Sequence, residues 1–379
     1  MLRKLNRMLK GALRKFRIKI ARLIWDNKDR GQIPDLNGNF IDKNNIESIL
    51  FVRADGKIGD MVVSSFMFRE IKKKYPNIKI GVIAKGGGKD IIEFSPYVDK
   101  IYSYEGNFSQ IKNLAKNISE EKYDLLVEFY EEIKPQEIMF INQSKAKFNM
   151  GLNKKNWKLF DVSIDEDIDF KWDNHVSKRY LAYLKKMGIN IEDMDISYDI
   201  FFDEERLTKI KEIGKIYKER KFVVLNPFGA SKHRNFTKET IEKILKELEG
   251  VPTLILYHGD KYDIVNEIAK NFSNMIVPEG IKSILDSAMY ISLADLVISP
   301  DTSIIHVADA FNKKIIGVYE YDGGILGSGH KVWGPKENKN SLLVFAPKRK
   351  STYDDFDVND FQMNEMREKI GILMGNSID

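Results

Sequence analysis

Hydrophobic and polar positions fall along this chain in blocks with two different periods. Ser48–Val52 is an apolar run that reads as a buried strand, and Met61–Tyr75 carries the spacing of an amphipathic helix. Lys79–Ala84 and Val98–Tyr104 read as strands, Phe108–Ile118 as a helix and Tyr123–Phe129 as another strand. A second series runs through strand Phe222–Asn226, helix Lys238–Leu248, strand Thr253–Tyr257, helix Tyr262–Asn271 and strand Met275–Val277. It closes with helix Ile281–Leu293, strand Leu296–Ser299, helix Ile304–Phe311 and strand Lys314–Val318. Short apolar runs alternating with helices predict βαβ units and parallel, doubly wound sheets. Residues near 155–220 are less regular, and Val358–Met374 is expected to be a helix crossing back to the first half. The expected fold class is α/β, with two facing Rossmann-like domains and ligands at the carboxyl ends of their strands.

The first 25 residues follow another rule. Leu2, Leu5, Met8, Leu9, Ala12, Leu13, Phe16, Ile20, Leu23 and Ile24 fall in one broad stripe at 100° per residue. Arg3, Lys4, Arg7, Lys10, Arg14, Arg17 and Arg22 lie mainly beside and behind it. This is the pattern of a basic amphipathic helix at a membrane interface. A helix packed on the body with its charges solvated is the alternative. The apolar runs are too short for a secretory signal. The expected organisation is therefore helix and polar linker over 1–45, first Rossmann-like domain over 46–205, second over 206–350, and the returning helix over 351–379.

Charge sharpens this picture. The chain of 379 residues has 61 Lys and Arg against 56 Asp and Glu, a net of +5. Residues 1–25 hold nine of the cations and no acid, so the remainder carries 52 against 56, a net of −4. A basic body for nucleic acid is not supported, and no nucleic-acid partner is expected. With no Cys, disulfides, thiolate nucleophiles and Cys-ligated metals are excluded. No apolar run approaches the roughly 18 to 20 residues of a membrane span.

Three loops at strand ends carry candidate chemistry. The first, Arg53-Ala54-Asp55-Gly56-Lys57-Ile58-Gly59-Asp60-Met61, lacks the G-x-G-x-x-G fingerprint. Asp60 there reads either as a helix N-cap or as a general base for an acceptor hydroxyl. Gly86-Gly87-Gly88-Lys89-Asp90 lacks the remaining elements of a P-loop. The second loop, Asn226 to Thr237, sets Gly229 and Ser231 beside Lys232, His233 and Arg234. That composition suits a diphosphate, or an exposed basic turn capped by Thr237. In the third, Ser299-Pro300-Asp301-Thr302-Ser303 opens a helix bearing His306. A helix start is an anion site, although Asp301, Thr302 and Ser303 serve equally as a cap and His306 as a packed core histidine. Asp167-Ile168-Asp169 and Asp193-Met194-Asp195 have metal-bridging spacing, but their acidic surroundings read as solvated surface.

Taken together, these loops resemble family 9 of the GT-B glycosyltransferases, which contains the lipopolysaccharide heptosyltransferases. The resemblance rests on Ile49-Leu50-Phe51-Val52-Arg53 leading to Gly59-Asp60-Met61-Val62-Val63, on Asn226-Pro227-Phe228-Gly229-Ala230-Ser231 with Arg234-Asn235-Phe236-Thr237, and on Ala294-Asp295 through Asp301-Thr302-Ser303 and His306. It spans roughly residues 48–345 and omits the basic segment. It implies Asp60 as catalytic base, and Ser231, Lys232, Arg234, Asp301, Thr302, Ser303 and His306 as the donor and diphosphate side. Asp263 and Lys282 would stand near the nucleoside. Ser303 replaces the usual Gly, Phe236-Thr237 replaces Trp-Pro, and the loop Tyr319 to Gly324 lacks the family's Gly-Pro-Thr-type turn.

The resemblance implies an inverting, metal-independent transferase without a cofactor. The 46–205 domain would take a lipid-linked saccharide acceptor and the 206–350 domain a nucleotide sugar, ADP-heptose foremost. Residues 1–25 would hold it peripherally on the cytoplasmic face of the inner membrane. The alternatives are another nucleotide sugar or a non-lipopolysaccharide acceptor on the same fold, and a non-catalytic membrane-associated binding protein.

Overall fold

The apolar blocks of the first half become six parallel strands, and those of the second half six more. The computed structural model describes residues 2–28, 33–36, 38–217, 220–321, 329–336, 339–347 and 357–375, with only the helical backbone for 2–10. The first half comprises helices α1 (Leu2–Trp25) and α2 (Phe40–Lys43), strand β1 (Ser48–Arg53), α3 (Ile58–Lys74), β2 (Lys79–Ala84) and α4 (Gly87–Ile92). It continues with β3 (Lys100–Ser103), α5 (Phe108–Glu121), β4 (Leu125–Glu128), α6 (Pro135–Ser144), β5 (Phe148–Leu152), β6 (Val162–Ile164) and α7 (Ser177–Met187). Then follow α8 (Glu204–Tyr217), β7 (Val223–Leu225), α9 (Lys238–Glu247), β8 (Thr253–Ile255), α10 (Tyr262–Ala269), β9 (Met275–Ile276) and α11 (Ile284–Leu293). The chain closes with β10 (Leu296–Pro300), α12 (Ser303–Ala310), β11 (Lys314–Tyr321), α13 (Gly329–Trp333), β12 (Ser341–Pro347) and α14 (Met363–Met374).

Among the described residues the first sheet runs β3-β2-β1-β4-β5-β6 and the second β9-β8-β7-β10-β11-β12. The two orders are the same, 3-2-1-4-5-6, with the reversal between β1 and β4 in one and β7 and β10 in the other. Ligands of such sheets bind where the order reverses, because the flanking loops part there. Asp60 follows β1, and the Asn226 and Asp301 loops follow β7 and β10. All three candidate loops therefore stand at switch points.

Helices on both faces bury the strands, which explains their continuous apolar character. The two halves also share one apolar cluster: Met61 and Val62 of α3 lie in it with Ile304 and Ile305 of α12, and α4 packs against α11.

Four sequence expectations change. The helix after β1 starts at Ile58, so Asp60 lies inside its first turn and Lys57 holds the N-cap position. The region near 155–220 is more ordered than its pattern, since it contains β6, α7 and α8, with α8 packed on α11. The helix expected over 281–293 begins at Ile284, because Ser283 and Asp286 form a capping box. The last helix does not cross back. Met366, Ile370, Leu373 and Met374 of α14 are buried in the second half's core, and α14 packs on α9, β11 and β12. Its apolar positions match the uncovered side of that sheet, which the sequence pattern alone does not locate.

Candidate active site

β1 ends in a buried arginine. Arg53 is 3% exposed, and its guanidinium lies 4.1 Å from the Phe129 ring centre and 4.9 Å from that of Tyr180. Its Nε and Nη2 are buried without a hydrogen-bond partner. Burial opposes its charge, yet Tyr180, Asp60 and Asp55 together hold it above its ordinary pKa. The chain then turns through Gly56, whose φ of +72° is a left-handed conformation that glycine adopts without strain. Asp55 holds this turn: its carboxylate accepts from Lys57 N–H at 3.2 Å, and its own N–H donates to the Tyr130 hydroxyl at 3.1 Å.

Asp60 is different. Its side chain is 13% exposed, and Oδ2 lies 3.8 Å from both Arg53 Nη1 and Lys57 Nζ. Those separations give attraction without a hydrogen bond. Burial pushes the carboxyl up to about 6, with Arg53 pulling the other way, Asp55 adding to the rise, and Lys57 and Arg179 opposing it. A carboxyl titrating close to the working pH, with no bonded partner, suits a general base. Of the two sequence readings of Asp60, the N-cap belongs to Lys57 instead, while the first turn of α3 still favours a negative charge.

Opposite stands the second half. The Asn226 side chain donates to Ser299 Oγ at 2.9 Å and Thr302 Oγ1 at 3.1 Å, tying the loop after β7 to the loop after β10. Thr302 caps α12 by accepting from Ile304 N–H at 3.3 Å. Arg234 Nη2 meets Asp301 Oδ2 at 2.8 Å. Burial raises the Asp301 carboxyl and Arg234 lowers it, the rise prevailing. Gly229 permits a close approach here, since a Cβ would sit 2.8 Å from Arg234 Cβ and 3.1 Å from Thr302 Cγ2. Arg234, Asp301 and Thr302 thus form one cluster, with Ser303 at the start of α12. Ser231 and Lys232 lie exposed on the same loop.

The halves meet at His306. A Cβ on Gly59 would lie 2.8 Å from His306 Cδ2 and 3.6 Å from Ser303 Cα, so α3 and α12 touch where Gly59 has no side chain. Burial, helped by His175 and Lys336, pushes the imidazole down to about 3, which leaves it neutral. Its Nδ1 has no partner, and its ring lies edge-on to Trp333. His306 is packed in the core, and it stands beside the residue that precedes Asp60.

Asp263, in the first turn of α10, and Lys282, just before the cap of α11, are exposed. No hydrogen bond or ion pair among the described residues joins either to Arg234 or Asp301. Lys282 N–H donates to Asp286, which also takes Arg206. Asp169 and Asp195 accept local bonds from Asp165 N–H and Ser197 N–H, and no cluster of three metal-ligating side chains occurs among the described residues. Of the departing loop after β11, Asp322 to Gly324 lie outside the described residues.

Several participants had no assigned role in the sequence reading. Arg53 had one signal, a cation closing a buried strand. Arg179, whose guanidinium covers Trp172 at 3.8 Å, lies in the stretch that looked irregular. Glu128, at the end of β4, pairs with Lys154 at 3.5 Å, both fully buried, and Lys154 also donates to Tyr130 O at 2.6 Å. That pair anchors the loop carrying Tyr130. Nothing in the local sequence announces a contact between β4 and the turn after β5.

Comparison with known proteins places this geometry. Residues 111–339 match the family model of glycosyltransferase family 9 (heptosyltransferase), and residues 34–187 match a family of unknown function, DUF6913. An Escherichia coli (strain K12) protein named provisionally as lipopolysaccharide heptosyltransferase 4 is 24% identical over 344 residues, covering 88% of this chain and 89% of that protein. Lipopolysaccharide heptosyltransferase 3 of Escherichia coli is 20% identical over 303 residues, covering 76% and 86%. Among solved structures, a family 9 glycosyl transferase from Veillonella parvula DSM 2008 superposes with a TM-score of 0.68 at 14% identity, covering 87% of this chain and 98% of that one. The E. coli ADP-heptose lps heptosyltransferase II gives 0.66 at 16% identity, covering 86% and 99%. The fold is therefore GT-B, two Rossmann-like domains meeting at their switch points, and the chain belongs to glycosyltransferase family 9, the heptosyltransferase family.

Proposed function

We propose that this glycosyltransferase moves heptose from ADP-heptose to a lipopolysaccharide inner-core acceptor, with inversion at the anomeric carbon. The observation that carries this reading is Asp60. It is a largely buried carboxylate without a hydrogen-bonded partner, standing at the switch point across from the Arg234, Asp301 and Thr302 cluster. Asp60 takes the proton of an acceptor hydroxyl, and that oxygen attacks the anomeric carbon. The bond from that carbon to the diphosphate oxygen breaks, and ADP leaves with the electron pair. Charge developing on the leaving group meets the first N–H groups of α12 and the cations Arg234 and Lys232, donors already in place before reaction. Asp60, Arg234 and the α12 start do this with no metal. Asp263 and Lys282 would contact the nucleoside at the outer end of the site. The E. coli heptosyltransferase solved with ADP and with ADP-2-deoxy-2-fluoro heptose supports the choice of donor. A lipid-linked acceptor places the reaction at the cytoplasmic face of the inner membrane.

The test is product detection by mass spectrometry with a delipidated core oligosaccharide and a panel of nucleotide sugars, in EDTA and in Mg²⁺. Heptose transfer from ADP-heptose in EDTA is expected. Transfer from a different nucleotide sugar would reassign the donor while leaving the transferase intact. Activity restored only by Mg²⁺ would overturn the metal-independent mechanism.

A further inference from the structure

Helix α1 has two apolar faces, and among the described residues one is packed on the protein while the other is exposed. Ala21 is buried, and Ile18 and Trp25 are half-buried against the apolar cluster that lies beneath α6. Arg22 stacks over Trp157 at 4.0 Å and donates to Asn156 O at 2.6 Å. Asn142 of α6 donates to Trp25 O at 3.0 Å, and Asp26 accepts from Leu159 N–H at 3.0 Å. These contacts fix the helix to the first half through its last two turns.

The stripe of the sequence analysis lies elsewhere. Leu13, Phe16, Ile20, Leu23 and Ile24 are exposed, Phe16 by 60% and Leu23 by 85%. At 100° per residue they occupy an arc of roughly 100°, turned away from Ile18, Ala21 and Trp25. In the sequence the same spacing continues through Leu9, Leu5 and Leu2. Arg17 borders this arc on one side and Lys19 on the other. Exposed leucine and phenylalanine at this density on one helix face call for an apolar partner.

We infer that this outer face of α1 is a docking surface for an anionic lipid bilayer, lying flat in the headgroup region with Leu13, Phe16, Ile20, Leu23 and Ile24 inserted. Charge decides the occupant. Nine cations and no acid in residues 1–25, on a body of net −4, attract anionic headgroups. A second copy docked face to face would instead oppose nine cations with nine more. The helix cannot serve as a span, since no helix among the described residues is long and apolar enough to cross a membrane. The docking also orients the enzyme. Arg14 pairs with Glu132 at 2.8 Å on the loop between β4 and α6, the loop that carries Tyr130 against the Asp55 turn. The half holding Asp60 is therefore the half held at the bilayer. The inference does not depend on the donor or on transfer itself.

The experiment is cosedimentation of the full chain with phosphatidylcholine vesicles, with and without about a quarter phosphatidylglycerol. The chain should pellet with the anionic vesicles and release as salt rises, because screening shortens the reach of exposed charges to about 8 Å at physiological ionic strength. The double variant Phe16→Glu and Leu23→Glu replaces two exposed side chains and should bind about tenfold or more weakly. Arg17→Glu with Lys19→Glu, which reverses two of the nine cations at the edges of the apolar arc, should reduce the preference for anionic vesicles. Thermal unfolding and turnover on a delipidated acceptor should be unchanged in both. Wild-type binding by the Phe16/Leu23 variant, or no preference of the wild type for anionic vesicles, would overturn the inference. So would light scattering that shows a dimer which this variant dissociates, since the face would then close between copies.

Discussion

Asp60 and Asp301 are both carboxylates in the connection from a parallel strand to its helix, both largely buried, both beside an arginine, and the difference lies in one contact. Asp301 is in direct contact with Arg234 at 2.8 Å. Asp60 stands 3.8 Å from Arg53, and that guanidinium is spent on the rings of Phe129 and Tyr180. A carboxylate bonded to its cation is neutralised and oriented, whereas one held just beyond bonding distance keeps its lone pairs for a proton. In the proposed mechanism two similar groups thus take opposite parts: Asp60 takes the proton, and Asp301 sets the position of the cation assigned to the phosphates.

The largest test of this contrast is removal of each charge. Asp60→Asn should lower turnover by about two to four orders of magnitude while leaving ADP affinity unchanged, since general-base loss acts on the chemical step. Asp301→Asn should instead weaken ADP binding along with turnover, because Arg234 loses its anchor. Initial rates with calorimetry on both variants decide, and an exchange of these two phenotypes would invert the assignment. Asp55→Asn, which loosens the turn and removes a charge that raises the Asp60 carboxyl, should retain most activity and move the acid limb to lower pH.

A smaller effect separates the cations. Arg234→Ala should weaken ADP binding about tenfold, and Lys232→Ala less, because a guanidinium can bridge two phosphate oxygens where an ammonium offers a point charge. Isothermal titration would show it, and the reverse order would move the phosphate contact to Lys232.

The pH dependence sharpens the role of Arg53. A base must be deprotonated, so kcat/KM should fall as pH drops through about 6, the value to which burial raises Asp60. Arg53 favours the charged form, so Arg53→Gln should move this acid limb to higher pH, and Arg53→Lys should move it less. An unmoved limb in Arg53→Gln would confine Arg53 to packing. The groups facing Asp60 that also set this limb are Asp55 and Lys57 from its own loop and Arg179 from α7.

The smallest expected change concerns the tie between the two loops of the second half. Asn226→Ala removes the bonds to Ser299 and Thr302, which remain bonded to each other at 2.9 Å. A loss of about 1 kcal/mol in urea unfolding is expected, since the remaining pair limits the unsatisfied polarity. A much larger loss would make this tie a condition of folding rather than of loop placement.

What the chain dictates locally was readable in advance. Parallel strands buried on both faces leave continuous apolar runs, so the β1 to β4 and β7 to β11 blocks, the two-domain architecture and the three strand-end loops followed from periodicity and turn residues. Asp60, Arg234 and Asp301 lie in or beside these loops and His306 one turn into the helix that follows, and their site roles rest on the resemblance to glycosyltransferase family 9. The tertiary structure alone decided the rest. α7 packs on α3 from distant sequence, and α14 stays on the second sheet because an apolar face waits there. Whether Asp60 caps a helix or holds a proton turned on where Lys57 ends its loop and on how far Arg53 is drawn to Phe129 and Tyr180. For α1 the sequence displayed one apolar stripe, and only packing showed that Ile18, Ala21 and Trp25, outside that stripe, hold the body. Periodicity reports which residues share a face. Which face is covered, and by what, depends on long-range contacts that leave no mark in neighbouring residues.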